Sequence, residues 1–250
     1  MRLDRLLANS GLGTRSTVRD KISHGSVMVN GAVVKDSSFH VKETDSITID
    51  GVEINCQTKL YYLFDKPDGV LTAMEDKRLP CVADYIPDEL KSKKLSPVGR
   101  LDYHTSGLLI ITNDGELSHR LQSPKYEVPK IYLVTYRGLP WTSDEITTVA
   151  SGFQIRDKGY SEDIAPAELK VIDESSDEFS HAYLTLREGK THEVRRIFAH
   201  FNKEVVELRR IDLAGIRISE DTDSCGAIRP LSADELNILL EATGLRQSSL

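Results

Sequence analysis

Residues 97–115, PVGRLDYHTSGLLIITNDG, decide how the rest of the chain is read. A Gly-Arg-Leu-Asp turn carries Asp102. An apolar run follows, Leu108, Leu109, Ile110 and Ile111, and it closes at Asn113-Asp114-Gly115. A short apolar run between glycine-containing turns reads as a strand buried on both faces. Asp102 then stands at the lip of that strand, beside Arg100, Thr105 and Ser106. Aspartates in such turns commonly accept backbone hydrogen bonds or cap helices. A carboxylate where a loop meets a rigid strand is also well placed for chemistry.

The chain has 250 residues, room for a mid-sized domain plus a small one. Its composition is that of a soluble globular protein. No apolar run is long enough to span a bilayer, and MRLDRLLANSG reads as an amphipathic helix, with no signal peptide. Cys56, Cys81 and Cys225 are far apart, which points to a reducing, cytoplasmic setting without a zinc site. The net charge of −7 argues weakly against nucleic-acid binding, but the charge is segregated. Up to Lys35 the chain sets Arg2, Arg5, Arg15, Arg19, Lys21 and Lys35 against Asp4 and Asp20. A second basic stretch holds Arg187, Lys190, Arg195, Arg196, Arg209, Arg210 and Arg217. Acids gather in residues 157–178 and again at Glu220, Asp221 and Asp223.

Leu3, Leu6 and Leu7 recur at helical spacing, and Gly11 stops that helix. Ser16 to Ile22 predicts a second helix, with Val18 and Ile22 on one face and Gly25 ending it. Val27 and Val29, Asn30-Gly31 and Val33-Val34 make a strong hairpin signal. Ile47 and Ile49 add a strand ended by Gly51, and the short polar segment from Val52 to Leu60 marks a boundary between domains 1–59 and 60–250.

In the second part, Tyr61 to Phe64 reads as a strand, residues 65–69 (DKPDG) as a turn, and Val70-Leu71 as the start of another strand. Lys91, Lys93 and Lys94 form a basic loop. Asp114 is the expected N-cap of a helix over 116–121, which Pro124 ends. Strand patterns cover 130–134, 167–172 and 181–186, and Thr142 to Phe153 reads as a helix running into a turn. Residues 187–196, REGKTHEVRR, open another helix, and Ser232 with Glu235 predicts a capping box on the last one.

Taken together these phrases resemble a known family. RLDRLL, Arg15 and ISHGSVMVNG are similar to the S4 RNA-binding domain. Lys66-Pro67-Asp68-Gly69, the GRLD to TNDG stretch, KIYLV at 130–134 and EGKTHEVRR at 188–196 resemble, in order, the motifs of the RsuA-type ribosomal RNA pseudouridine synthases. Two positions depart from the pattern: Glu193 stands where glutamine is usual, and Phe201-Asn202 where a glycine normally follows the helix. The first departure suggests a change in local RNA contacts.

The resemblance implies an α+β fold: a small S4 domain, then a catalytic domain on a mixed, mostly antiparallel sheet. It implies that a uridine in ribosomal RNA is isomerised, with small-subunit 16S rRNA favoured by the spacing to Asp102 and by Ser123-Pro124. Asp102 would be the catalytic carboxylate, as nucleophile or as base, a choice the residues leave open. Tyr132 would pack on the flipped uracil. Arg195 would pair with Asp102, because desolvation favours a neutral carboxyl and a nearby cation offsets it. Arg2, Arg5, Arg15, Arg19, Lys21, Lys66, Arg100, Arg196 and Arg209 would hold RNA. The isomerisation adds no atoms and changes no oxidation state, so neither metal nor organic cofactor is expected. The expected partner is ribosomal RNA in a partly assembled small subunit, bound by a monomer with no membrane role. A non-catalytic RNA-binding assembly factor, a large-subunit (23S) synthase and a base-cleaving hydrolase are the alternatives. A single carboxylate with an arginine argues against an ordinary glycosidase, which needs two carboxylates.

Overall fold

The computed structural model describes residues 1–10, 12–42, 45–54, 59–157, 160–173 and 179–245. The expected Gly11 helix stop, Cys56 and the acidic segment 174–178 lie outside them. Two compact units divide the chain, Met1–Leu60 and Tyr61–Leu250.

The first unit has two helices, α1 (Leu3–Asn9) and α2 (Arg15–Ser23), and a four-stranded sheet. Its strands are β1 (Val27–Val29), β2 (Ala32–Val33), β3 (Ile47–Ile49) and β4 (Val52–Glu53), in the order β2-β1-β3-β4. Leu3, Leu6, Leu7, Val18 and Ile22 of the helices bury against Val27, Val29, Ile47 and Ile49. Both hairpins turn on two residues at positive φ, Asn30-Gly31 and Asp50-Gly51, the backbone that matches strand twist. The second turn corrects the sequence reading: Val52-Glu53 continues the sheet and is not part of the linker.

The second unit is built on a nine-stranded sheet. Its elements are β5 (Tyr61–Lys66), α3 (Asp88–Lys91), β6 (Ser96–Pro97), β7 (Ser106–Thr112), α4 (Gly115–Gln122), β8 (Lys130–Arg137) and α5 (Ser143–Ser151), then a separate hairpin, β9 (Phe153–Asp157) and β10 (Tyr160–Ile164). There follow β11 (Glu168–Asp173), β12 (Ser180–Leu186), α6 (Glu193–His200), β13 (Glu204–Leu213), β14 (Ile216–Arg217), β15 (Ile228–Pro230) and α7 (Ala233–Ala242). The main order is β11-β12-β8-β13-β7-β5-β15, with β14 on β13 and β6 on β7. Apart from the β7–β13 pair, which runs parallel, the strands of this sheet pair antiparallel.

β7 is buried along nearly its whole length. Leu108 and Ile110 join Leu117 and Leu121 of α4 and Leu239 of α7 in one core cluster, while Leu109 and Ile111 point to the other face. Asp114 caps α4 by accepting from the Glu116 and Leu117 amides. Three local readings change. β5 runs on through Asp65 and Lys66, both buried, so the turn begins only at Pro67. Leu71 makes an isolated bridge to Cys81 in place of a strand. The turn expected at Phe153 is instead the start of the β9–β10 hairpin.

One row of the sheet places the site. Leu184, Tyr132, Arg210, Gly107 and Lys66 lie side by side on β12, β8, β13, β7 and β5. Gly107 is held at positive φ, and a side chain there would run into the Arg210 backbone carbonyl. The glycine therefore allows β13 to insert between β7 and β8 at this row.

Candidate active site

Asp102 stands four residues before β7, in a loop whose carbonyls are each held. Thr72 Oγ1 donates to Leu101 O at 2.6 Å, and the Thr105 amide donates to Asp102 O at 3.1 Å. Tyr103 O accepts from the Gly69 amide at 3.0 Å, and His104 O from Arg195 Nη2 at 2.5 Å. Thr105 O accepts from Lys66 Nζ at 2.8 Å. Five successive carbonyls are thus bonded, which fixes where the Asp102 side chain begins.

The Asp102 carboxylate keeps about a third of its surface (35 %) and faces His192, with Nε2 to Oδ1 3.6 Å. Asp102 and Tyr132 line one recess of about 70 Å³, together with Arg100, Thr105, His192 and Glu193. It adjoins a larger cleft of about 980 Å³, whose lining includes Asp102, His104, His192, Arg195 and Val206. Tyr132 is 9 % exposed, so only an edge of it meets the recess.

The structure redraws three expected roles. Arg195 lines the cleft, but its guanidinium donates to Val205 O at 2.9 Å and to His104 O rather than to Asp102. It works on the loop backbone and leaves the carboxylate to His192. Lys66 is fully buried, with Nζ donating to Pro67 O and Thr105 O and lying 3.5 Å from Tyr103 O. It is no RNA contact. Burial pulls its pKa down to about 8, against the opposing pull of Asp68 and Asp102. Arg209 is buried too: its two terminal nitrogens reach Asp65 at 2.8 and 2.7 Å, a bidentate pair in the wall of the larger cleft.

Of the other expected RNA residues, Arg100, Arg5, Arg15 and Lys21 are exposed. Arg2 and Arg19 both pair with buried Asp4, at 3.1 and 2.8 Å, while half of each side chain stays in solvent. Arg196 is paired with Glu162. Glu193 is buried at 4 % exposure, and that small remainder faces the recess. Asn202 takes positive φ, 56°, the conformation glycine would otherwise supply and asparagine tolerates.

His192 and Asp65 are the residues that local reading missed, and Lys66 is one whose place it read as an RNA contact. His192 sits at positive φ (52°) immediately before α6, and only the folded loop turns it to Asp102. Among the described residues, no group of three or more His, Cys, Asp or Glu side chains could hold a metal ion. Also among them, no helix is long and apolar enough to cross a membrane.

Comparison with known proteins places the chain in a family. Residues 60–200 match the profile of the RNA pseudouridylate synthases, and residues 1–47 that of the S4 domain. The chain belongs to the pseudouridine synthase family. An uncharacterized RNA pseudouridine synthase of Bacillus subtilis is 39 % identical over 96 % of this chain and 99 % of its own. The ribosomal small subunit pseudouridine synthase A of Escherichia coli is 34 % identical over 94 % of this chain and 98 % of its own. The ribosomal large subunit pseudouridine synthase B of Bacillus subtilis is 33 % identical over 87 % of each chain. A crystal structure of a pseudouridylate synthase superposes with a TM-score of 0.64 at 32 % identity, covering 96 % of this chain and 99 % of that one. This pseudouridine synthase thus pairs an S4 domain with the family's catalytic fold.

Proposed function

We propose that the chain converts a uridine of ribosomal RNA, within small-subunit 16S rRNA, to pseudouridine, with Asp102 as the catalytic carboxylate. The observation that carries this is the shared recess of Asp102 and Tyr132, beside a loop whose carbonyls are held one by one. In the reaction the bond from ribose C1′ to uracil N1 breaks, the base turns, and C5 bonds to C1′. The C5 proton leaves and N1 gains one, so substrate and product have the same composition. Asp102 acts at the sugar or at the base while the glycosidic bond is open. Tyr132 offers an aromatic edge beside the extruded base. Arg195 and Lys66 hold the backbone that aims Asp102. Arg5, Arg15 and Lys21 of the S4 unit supply phosphate contacts, which give affinity more than sequence choice. The substrate is a partly assembled small subunit in the cytoplasm, and the synthase acts as a monomer. Relatives named for the small subunit and for the large subunit support the ribosomal class.

The test is pseudouridine mapping on small- and large-subunit rRNA, naked and as ribonucleoprotein, with Asp102→Asn alongside. A carbodiimide-adduct stop at one small-subunit uridine, lost in the variant while RNA binding persists, is the expected result. A stop only in the large-subunit RNA moves the substrate. Tight binding with no stop in any RNA sinks the catalytic reading.

A further inference from the structure

The loop that brings His192 to Asp102 is closed by two carboxyl groups in contact. Glu193 Oε2 accepts the Lys190 amide at 2.9 Å. Glu193 Oε1 is buried and receives no donor. Its neighbour across the loop is the Glu188 carboxyl, which already accepts the Ala165 amide at 2.9 Å and Lys190 Nζ at 2.7 Å. Lys190 Nζ also donates to Asp163 O at 2.6 Å, so the ammonium is committed to this same corner. A carboxylate can only accept. A proton on Glu193, donated to Glu188, would give the orphaned Oε1 its partner. Protonated, Glu193 presents one donor and one acceptor, as a glutamine amide would.

We propose that Glu193 is a positioning residue for the isomerisation, and that its protonated carboxyl latches the 188–193 loop so that His192 stays against Asp102. The inference rests on the functional reading above. Gly189, Lys190, His192 and Glu193 all line the recess that holds Asp102 and Tyr132, so loosening the loop alters the recess itself. Ionising Glu193 would set a second negative charge against Glu188 in a buried site, and the latch bond would become a repulsion. The other charged groups facing this corner are Lys190 in the loop, Lys130 from β8, Arg210 from β13, and Arg100, Asp102 and His192 around the recess. Burial, with Glu188 beside it, pushes the Glu193 pKa up to about 7. Burial also pulls Lys130 down to about 8, so a variant must separate the two.

Single-turnover rates on the rRNA substrate between about pH 5.5 and pH 9 test this. Wild-type protein loses rate above neutrality, approaching tenfold per pH step once Glu193 is ionised. Glu193→Gln, whose amide donates to Glu188 without titrating, removes the fall near neutrality, whereas a fall owed to Lys130 would persist in it. Glu188→Gln, which gives an ionised Glu193 an amide donor, removes it too. Glu193→Leu lowers the rate at every pH. A Glu193→Gln profile that keeps the wild-type fall overturns the proposal. The carboxyl 13C signal of Glu193 is read on the same full-length protein without RNA: ionisation already complete at about pH 5.5 also overturns it. No turnover by wild type at any pH, with that signal still titrating near neutrality, overturns the functional reading instead.

Discussion

Removing Arg209 separates a structural reading of this residue from an RNA-binding one. Asp65 is 2 % exposed and receives both Arg209 terminal nitrogens, at 2.8 and 2.7 Å, and Ser224 Oγ at 2.6 Å. The Asp65 backbone in turn holds the returning chain: its amide donates to Ala227 O and its carbonyl accepts from Gly226. Burial works against the Arg209 charge, but the Asp65 carboxylate outweighs it and keeps the guanidinium pKa above its ordinary value. Arg209→Ala strands a buried carboxylate and should cost about 3–5 kcal/mol. For a unit of this size, each kcal/mol moves the melting temperature about 2–4 °C, so the expected drop is roughly 6–20 °C. Asp65→Leu combined with Arg209→Met removes both charges and should recover most of that loss. Calorimetry on the three proteins measures it, with RNA affinity determined well below the melting range. A variant that melts within about 2 °C of wild type while RNA binding falls would refute the reasoning and return Arg209 to the phosphate contacts.

Four further outcomes are expected. Arg15→Ala with Lys21→Ala should lower the slope of log affinity against log salt by roughly 1.4–1.8, as two lost phosphate contacts require, without shifting the melting temperature; filter binding across a salt series reads it. Gly107→Ala should destabilise by about 3 kcal/mol or more, because the new methyl meets the Arg210 carbonyl at a positive φ, and urea denaturation checks this. Lys66→Met leaves the Thr105 and Pro67 carbonyls without their donor. It should cost about 2 kcal/mol or more and lower kcat more than RNA affinity, in parallel thermal and single-turnover measurements. Glu193→Gln should also change how stability depends on pH. The folded Glu193 pKa lies above its ordinary 4.5, at about 7, so folded protein binds more protons than unfolded across that window. Wild-type stability therefore falls as pH rises from about 4.5 to about 7, by up to about 3 kcal/mol, and the variant lacks that fall. Equal pH dependence of the two melting curves would sink the assignment.

Much of this protein is determined by local sequence. Leucine spacing in α1, the Asn30-Gly31 turn, the apolar run of β7 and the Asp114 cap each state their structure within a few residues, because periodicity, positive φ and capping are short-range effects. The S4 and synthase motifs were legible for the same reason, and with them the family. The two-residue strand β4 and the β9–β10 hairpin were not, since nothing in Val52-Glu53 or in residues 153–164 marks a partner. The candidate site is mostly a tertiary product. Lys66, Arg195 and Arg209 read from sequence as cations available to RNA or to Asp102. Folding turns Lys66 inward to the Asp102 loop, spends Arg195 on two backbone carbonyls, and buries Arg209 against Asp65. The Arg195 and Arg209 outcomes depend on β13, which pairs with β7 residues about a hundred positions away, and the Lys66 outcome on β5 pairing with β7. The proton on Glu193 likewise depends on Glu188 being folded against it in the interior. Residue type sets what charge a side chain can carry, but burial and partners, which only the assembled sheet supplies, decide whether it serves RNA, the reaction or the fold.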